Sequence, residues 1–283
     1  MNKLTVVIPC KDDPDVVRCV QSVDTSADIL IVFNGAQSKF IKSVKKQLAE
    51  FEVDFDVLTQ ANLSWALETG TRLAKTNLVL YMDSDCIFEK GAIQAFIDAA
   101  RKGNPKNEVY KGDVIFASGK TYLENLISKS RSHHTAEVLT AYKPPLLVSR
   151  IIKNRIGGYM FDNRLVWRED SDLDNRIRDA KVRIVHVPKG IIYHKTIKLK
   201  TDLRSTYRYG IGLAIANYLN IKLTEVPRSV VSTYKSKGFM PAVYMVFRNR
   251  IYDLGYWITK LKIHLGIYHL GNKPDKEMGL YNE

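Results

Sequence analysis

Cysteine is scarce in this chain of 283 residues, which contains only Cys10, Cys19 and Cys86. They are too few and too widely spaced for a disulfide framework or a zinc site. We therefore interpret each as a small buried hydrophobic side chain and expect a reducing, cytoplasmic environment.

Long hydrophobic runs are also missing. A membrane-spanning helix needs ~20 consecutive apolar residues, and the best candidate, YGIGLAIANYLNI at residues 209–221, ends well short of that. The first residues, MNKLTVVIPCKDD, hold too short an apolar run for a signal peptide. The sequence therefore predicts a protein that does not cross a bilayer.

Acidic residues are outnumbered, 30 against 43 Lys and Arg, which gives a net charge of +13. Residues 200–283 carry thirteen basic and six acidic side chains, a net charge of +7. Such an excess favours anionic partners, although no motif that reads nucleic acid is present. We predict that residues 201–283 form a basic amphipathic helical region, in which Arg248, Arg250, Lys260 and Lys262 accompany apolar and aromatic residues as one basic surface. It contacts an anionic membrane surface, such as the inner face of the cell membrane, or it packs against the catalytic domain or a second subunit of a homo-oligomer.

Short apolar runs alternate with helical patterns through the first hundred residues. The runs are LTVVIP, DILIVFNG, FDVLTQ and NLVLYMDSD, and amphipathic segments such as KFIKSVKKQLAEF separate them. Strands that are apolar throughout and alternate with helices are typical of a parallel sheet covered on both faces. The sequence thus predicts an α/β fold with a Rossmann-like, mostly parallel sheet over residues 1–200.

The fourth predicted strand ends on two carboxylates, in Asp83-Ser84-Asp85. Ligands of such sheets bind beyond the carboxyl ends of the strands, and carboxylate oxygens are preferred ligands of Mg²⁺ and Mn²⁺. An isolated Asp-Ser-Asp would more often cap a helix. A second acidic cluster, in WREDSDLDNRI, and a late histidine in IIYHK favour a functional site instead. A metal could stabilise a departing diphosphate while a separate carboxylate removes a proton.

These stretches occur in an order that resembles the inverting nucleotide-sugar glycosyltransferases of family 2, which have the GT-A fold. The resemblance rests on TVVIPCKDDPDVVRCVQSV, DILIVFNG, ALETG, VLYMDSD, a Gly-Gly pair, WREDSDL and YH, and it covers roughly residues 3–196. It implies a nucleotide-sugar-binding half at residues 1–110 and an acceptor-binding half at residues 111–200. The implied reaction is transfer of a sugar to a hydroxyl of a glycan or lipid-linked acceptor, in cell-surface polysaccharide or glycoconjugate biosynthesis.

The resemblance also implies roles for individual residues. Asp170 matches the catalytic base, and Glu169 beside it is either a second catalytic carboxylate or an orienting group. The implied ligands of Mn²⁺ or Mg²⁺ are Asp83, Asp85 and His194. The implied donor-binding residues are Pro9, Cys10, Lys11, Asp12, Asn34, Asp83 and Ser84. The implied acceptor-binding residues are Gly157, Gly158 and Trp167.

Two departures from the family pattern concern the donor. Asn34 and Gly35 stand where many members have a carboxylate beside uracil, and Glu68 replaces a frequent asparagine. We still favour a UDP-sugar as the donor. The alternatives are a nucleotidyltransferase acting on a sugar phosphate and a non-catalytic basic protein that binds membranes or polyanions. The first is expected to have a glycine-rich loop after strand one, which IPCKDDPD lacks, and the second leaves the strand-end carboxylates unexplained.

Overall fold

The computed structural model describes residues 3–136, 139–165, 167–225 and 229–268, without the side chains of residues 132–136. The last part of the predicted C-terminal region, residues 269–283, lies outside this description. The strands of the described residues are β1 Leu4–Cys10, β2 Asp28–Asn34, β3 Val53–Leu58, β4 Leu78–Tyr81, β5 Cys86–Phe88, β6 Glu108–Phe116, β7 Leu146–Ser149 and β8 Arg183–His194.

Helices connect and cover these strands. They are α1 Val16–Gln21, α2 Ser38–Gln47, α3 Leu63–Leu73, α4 Ala92–Lys102, α5 Tyr122–Ala136, α6 Glu169–Asp179, α7 Leu199–Tyr218, α8 Val230–Lys237 and α9 Phe239–His264, with a 3-10 helix at Arg150–Arg155. In the part of the chain that the structure describes, no helix combines the length and the hydropathy needed to cross a membrane.

The strands form one sheet in the order β3-β2-β1-β4-β7-β6-β8-β5. Strands β1 to β4 pair in parallel, as the alternating pattern predicts, and β6 pairs in parallel with β8. Strand β7 runs antiparallel to both β4 and β6, and β5 runs antiparallel to β8. The predicted α/β fold is therefore confirmed, with an antiparallel strand inserted between two parallel halves.

Strand β1 shows why its residues are apolar throughout. Its side chains are all buried, and successive residues of a strand point to opposite faces of the sheet. Val6 and Ile8 accordingly belong to one hydrophobic cluster and Val7 to another. A strand with helices on both faces has no solvent side on which to place a polar residue.

The middle of the chain departs from the sequence-based reading. The segment RKGNPKNEVYKGD has the Gly-, Asn- and Pro-containing composition of a turn-rich connector, but its second half begins β6 at Glu108. Its pattern lacks a continuous apolar run, and the strand is stabilised by pairing with β7 on one side and β8 on the other. Strand pairing across the fold outweighs local propensity here.

The C-terminal helices pack closely on one another. A Cβ atom on Gly210 of α7 would lie 2.1 Å from the carbonyl oxygen of Tyr252, and one on Gly255 of α9 would lie 2.1 Å from that of Tyr207. Only glycine fits at these two positions, so the backbones of α7 and α9 cross in direct contact.

A buried carboxylate joins the C-terminal helices to α5. Asp202 of α7 is fully buried and accepts hydrogen bonds from Arg131 Nε of α5 at 2.6 Å and from Tyr244 Oη of α9 at 2.6 Å. Arg248 Nε of α9 lies 3.0 Å from the same carboxylate. The expectation that Arg248 belongs to an exposed basic surface is therefore wrong, because its side chain is buried and paired.

Candidate active site

The two strand-end carboxylates follow β4 at the edge of the sheet where the predicted site lies. The backbone amide of Met82 still donates to Val7 O of β1 at 3.1 Å, and the chain then turns through Asp83 and Ser84. Because β5 begins at Cys86, Asp85 is held directly before a second paired strand. All three side chains of Asp83-Ser84-Asp85 are partly exposed.

Strand pairing brings His194 to Asp85, as the family resemblance implied. Cys86 of β5 is the register partner of His194 at the end of β8. His194 Nε2 lies 3.5 Å from Asp85 Oδ2. His194 Nδ1 lies 2.7 Å from the carbonyl oxygen of Lys195. Because a carbonyl only accepts, Nδ1 carries the proton, and in the neutral imidazole Nε2 then presents a lone pair towards Asp85.

This pair suits a divalent cation. A carboxylate oxygen and an imidazole nitrogen that both present lone pairs are common ligands of Mn²⁺. Cys86 Sγ belongs to the same cluster, in which all the potential ligand atoms lie within 4.8 Å of one another. Burial raises the pKa of the Cys86 thiol well above its usual value. A soft sulfur also suits Mn²⁺ or Mg²⁺ less well than the hard carboxylate oxygen of Asp85 does.

Lys195 compensates part of the negative charge around Asp85. Its ammonium lies 3.0 Å from Asp13 Oδ2, 2.9 Å from Asp15 Oδ2 and 3.8 Å from Asp85 Oδ2. Three carboxylates thus share one ammonium group, which leaves negative charge to attract a cation. Asp13 Oδ1 also accepts a hydrogen bond from the amide of Asp15 at 3.1 Å, just before α1.

Lys143 connects the two acidic clusters, and sequence reasoning missed it. Its ammonium lies 3.4 Å from Asp83 Oδ1 and 3.3 Å from Glu169 Oε1, and its side chain is only 5% exposed. Burial alone would lower the pKa of Lys143, but the charges of Asp83 and Glu169 outweigh burial and raise it. The carboxylate of Asp83 is therefore paired with an ammonium, and in the described residues the cluster of potential metal ligands includes Asp85 and His194 but not Asp83.

The fold explains this position of Lys143. Strand β7 starts at Leu146, opposite Tyr81, and runs antiparallel to β4, so the residues before Leu146 lie beside those after Tyr81. The amide of Ala141 donates to Asp174 Oδ1 of α6 at 2.5 Å, which fixes the same segment to the helix that begins at Glu169.

Asp170 has the environment of a general base. It is the second residue of α6 and lines a cavity of about 200 Å³. Burial raises the pKa of Asp170 to about 7, with a further contribution from the negative charge of Glu169, while Lys143 and Arg168 act in the opposite direction. A carboxylate with a pKa near neutrality accepts protons efficiently at physiological pH. Asp172, the other acid of the first turn, instead pairs with Arg176 at 2.7 Å, as its spacing predicts.

The cavity beside Asp170 is enclosed by the C-terminal helices and α5. Its aromatic lining consists of Phe116, Tyr142, Tyr209 and Tyr252. Its charged lining, besides Asp170, consists of Arg131, Arg168, Glu225 and Arg248. An aromatic lining with a few polar groups is typical of a site that binds a small molecule or part of one.

The residues assigned to the donor surround the ends of β1 and β2. Pro9 and Cys10 lie within β1, and burial raises the pKa of the Cys10 thiol to about 11, whereas Lys11 is exposed. Asp12 Oδ1 accepts from the amide of Gln37 at 2.8 Å and Asn34 Oδ1 from the amide of Asn62 at 2.6 Å. These two oxygens therefore hold loops together.

The residues assigned to the acceptor are not gathered around the cavity. Gly157 and Gly158 form an exposed turn with φ of 103° and 89°, and the described residues that line the cavity include neither glycine nor Trp167. Arg208 lies over the ring of Trp167, 4.8 Å from its centroid, and Tyr209 packs edge-on at 6.1 Å. One face of the indole is therefore covered by another side chain of this protein.

Glu68, which stands where the family pattern often has asparagine, has a structural role. Its Oε2 accepts hydrogen bonds from the amides of Met160 and Phe161, at 2.9 and 2.8 Å. The side chain is buried, and burial raises its pKa. No local sequence signal links Glu68 to residues more than ninety positions away.

Comparison with known proteins agrees with this geometry. The sequence model described as Glycosyl transferase family 2 matches residues 5–171. Asp83, Asp85 and the acidic pair Glu169-Asp170 all fall within that range. Among curated protein sequences, none matches this chain.

Several solved structures share the fold. A mannosyltransferase, PcManGT from Pyrobaculum calidifontis in complex with GDP-Man and Mn²⁺, is 12% identical with a TM-score of 0.57, over 94% of this chain and 81% of that chain. TarS 1-349 of S. aureus is 14% identical with a TM-score of 0.52, over 94% and 93%. GalNAc-T7 with UDP, GalNAc and Mn²⁺ is 15% identical with a TM-score of 0.56. That match covers 77% of this chain but only 48% of the GalNAc-T7 chain.

The curled sheet, the flanking helices and the paired acidic motifs define a glycosyltransferase of the GT-A fold. Since the family model matches more than half of its residues, the chain belongs to glycosyl transferase family 2.

Proposed function

We propose that this enzyme is a metal-dependent inverting glycosyltransferase with a nucleotide diphosphate sugar as its donor. Its acceptor is a hydroxyl of a glycan or lipid-linked molecule, in the biosynthesis of a cell-surface polysaccharide or glycoconjugate. The observation that carries the proposal is the position of Asp170, which lines a cavity and directly follows Glu169, whose carboxylate is linked to Asp83 by the buried Lys143. The division into a donor-binding half at residues 1–110 and an acceptor-binding half at residues 111–200 is part of the same proposal.

The proposed reaction is a single displacement. The acceptor hydroxyl lies in the cavity and loses its proton to the Asp170 carboxylate. Its oxygen forms a bond to the anomeric carbon as the bond to the diphosphate breaks, and the electron pair leaves with the diphosphate. Attack from the opposite face inverts the configuration at the anomeric carbon. Lys143 positions Glu169 and Asp83 on the two sides of this step.

A divalent cation fits the donor set of Asp85 and His194. When bound, such a cation supplies positive charge that stabilises a departing diphosphate. Lys195 and the carboxylates of Asp13 and Asp15 hold the surroundings of Asp85 in place. Mn²⁺ is present in two of the structural neighbours, which supports Mn²⁺ or Mg²⁺ for this chain.

The identity of the donor is open to direct measurement. The neighbours were solved with UDP, UDP-GlcNAc or GDP-Man, and we favour a UDP-sugar here. Hydrolysis of UDP-, GDP-, dTDP- and CDP-sugars is measured with and without Mn²⁺, by release of the nucleoside diphosphate. Mn²⁺-dependent release from one nucleoside class supports the proposal. Absence of release and of binding across the whole panel contradicts it.

The outer face of α9 is the proposed contact with an anionic membrane surface. Apolar side chains at helical spacing are 46% to 60% exposed there: Met240, Val243, Phe247, Leu254, Trp257 and Leu261. Helices α8 and α9 contain six basic residues and one acidic residue. An apolar stripe with Trp, flanked by lysines, matches the interfacial region of an anionic leaflet. Such a contact would bring the cavity to lipid-linked acceptors.

A further inference from the structure

Two arginines in the wall of the cavity beside Asp170 share one buried carboxylate. Arg131 and Arg248 both line the cavity. Arg131 Nε donates to the Asp202 carboxylate at 2.6 Å. Arg248 Nε lies 3.0 Å from the same carboxylate and donates to Thr206 Oγ1 at 3.3 Å. Asp202 carries one negative charge and the two guanidinium groups carry two positive charges. The buried group of three therefore has a net charge of +1 at the wall of the cavity.

The two arginines also keep unused hydrogen-bond donors. Each guanidinium has five N–H groups, and the contacts in the described part of the chain engage Nε of Arg131 and of Arg248. The terminal amino groups of both side chains remain available to a ligand in the cavity. Side chains that are 16% and 9% exposed, respectively, and are fixed by a buried carboxylate lose little freedom when they bind.

Arg168, the third arginine that lines the cavity, already has hydrogen-bond partners within the protein. Arg168 donates from Nη1 to Tyr252 Oη at 2.8 Å, from Nε to Ser171 Oγ at 3.0 Å and from Nη2 to Thr224 O at 3.3 Å. Glu225 Oε1 lies 3.9 Å from its Nη2. Arg168 is therefore a structural side chain with its own counter-charge. The unbalanced charge belongs to Arg131 and Arg248.

We infer that the acceptor is an anion whose phosphate or carboxylate binds Arg131 and Arg248 while its hydroxyl reaches Asp170. Guanidinium groups bind these oxyanions through paired charge-assisted hydrogen bonds. The aromatic lining of the same cavity suits the apolar face of a sugar ring or the first carbons of a lipid chain. The inference rests on the proposed function, because it assigns the cavity to the acceptor rather than to the donor.

Binding of acceptor analogues tests the inference without turnover. The probes are a neutral hexose, its 6-phosphate, its uronic acid and a polyprenyl phosphate in detergent micelles, each titrated by calorimetry against the wild-type protein and Arg131→Gln. We expect the anionic probes to bind at least ~10-fold more tightly than the neutral hexose, since a charge-assisted pair of hydrogen bonds is gained. Arg131→Gln should lose that preference. A stronger response to the polyprenyl phosphate than to the hexose phosphate identifies a lipid headgroup as the source, and the reverse identifies a soluble or glycan-borne anion.

Two control variants and a measurement of donor affinity make the result decisive. If near-UV circular dichroism shows that Arg131→Gln does not fold, Arg131→Lys is used in its place. This variant retains the ion pair with Asp202 and should keep part of the preference for anionic probes. Arg204→Gln removes an exposed arginine of α7 and should change nothing. Equal binding of neutral and anionic probes overturns the inference, and so does loss of affinity for the nucleotide sugar in Arg131→Gln, which would assign the arginines to the donor diphosphate. Failure of the proposed function itself would appear separately, as absence of nucleotide-sugar binding and hydrolysis in the wild-type protein.

Discussion

The ammonium of Lys143 lies 3.3 Å from the Glu169 carboxylate, with both side chains 5% exposed. The same ammonium reaches Asp83 at 3.4 Å, so one lysine spans the carboxylates that follow β4 and those that begin α6. A buried charge costs free energy unless it is paired. The two acidic motifs can therefore lie side by side only because this lysine is between them.

Removal of Lys143 should be costly for stability. Lys143→Met leaves Glu169 buried without its partner, and loss of one member of a buried ion pair typically lowers the free energy of unfolding by ~3–5 kcal/mol. Urea unfolding followed by circular dichroism measures the change. The matched control is Lys75→Met, which breaks an exposed pair with Asp54 at 2.6 Å and should change the stability much less, because solvent screens that pair. Equal losses of stability in the two variants would show that Lys143 does not hold the two acidic motifs together.

Asp170→Asn should abolish most of the turnover and leave donor binding intact. A positioned general base contributes ~10²- to 10⁴-fold to the rate, and an amide cannot accept the proton. Single-turnover assays with acceptor measure the loss, and calorimetry measures donor affinity. Asp179→Asn, at the exposed end of the same helix, is the control and should behave as wild type. Near-normal turnover in Asp170→Asn would move the role of base to Glu169.

The pH dependence of kcat/KM in the wild-type enzyme should reflect the ionisation of the Asp170 carboxyl. Burial raises the pKa of Asp170 to about 7, so kcat/KM should rise with pH and level off above that value. The pKa of Asp170 in the folded protein is above the ordinary unfolded value of ~3.9, so the Asp170 carboxyl binds more protons in the folded state. Its contribution to stability therefore declines as the pH rises from about 4 to about 7. Asp170→Asn removes that penalty and should be at least as stable as wild type at pH 8. A flat pH profile between pH 5 and 8 would contradict the assignment.

Sequence reasoning found the parts of this site that follow predicted strands. Asp85 and His194 each lie at the end of an apolar run, where the chain must leave the sheet, and the order of motifs in the family pairs them. The sequence did not predict a role for Lys143 in the site, because its neighbours, Tyr142 and two prolines, show no strand or helix pattern. Its position depends on β7 running antiparallel beside β4, and a four-residue strand has no distinct periodicity.

The C-terminal region shows a second limit of sequence reading. Its helices and its exposed apolar residues agree with the amphipathic pattern, but Arg248 was grouped with the exposed lysines. Spacing along one helix cannot reveal a partner such as Asp202, which lies 46 positions earlier on another helix. A charged residue is buried only where the fold supplies a counter-charge. The sequence alone does not show at which positions the fold supplies such a counter-charge.

Loss of either proposed metal ligand should weaken Mn²⁺ binding. Asp85→Asn replaces a carboxylate by an amide, a poorer ligand for a hard cation, and His194→Ala removes the imidazole. Each should lower Mn²⁺ affinity by more than ~10-fold, since even substitutions around metal ligands commonly cost that much. Calorimetric titration with Mn²⁺ in the presence of the nucleotide sugar measures it. His186→Ala, on the same strand but paired with Asp113 at 3.0 Å, is the matched control. Unchanged Mn²⁺ affinity in both site variants would refute the metal assignment.

The basic residues beside the apolar stripe of α9 should determine membrane binding. Arg250, Lys260 and Lys262 are exposed and can be reversed without disturbing the buried pair of Arg248 with Asp202. Each basic residue near an anionic surface contributes ~1 kcal/mol, so Arg250→Glu/Lys260→Glu/Lys262→Glu should lower the vesicle partition coefficient by at least ~100-fold. Co-sedimentation with phosphatidylglycerol and phosphatidylcholine vesicles at low and high salt measures this, because salt screens the attraction. The control Lys39→Glu/Lys42→Glu/Lys46→Glu makes the same change of charge on the exposed face of α2, which has no comparable apolar stripe. If wild type binds neither vesicle but self-associates in analytical ultracentrifugation, and Trp257→Ser prevents that association, the stripe contacts a second subunit and the membrane proposal is wrong.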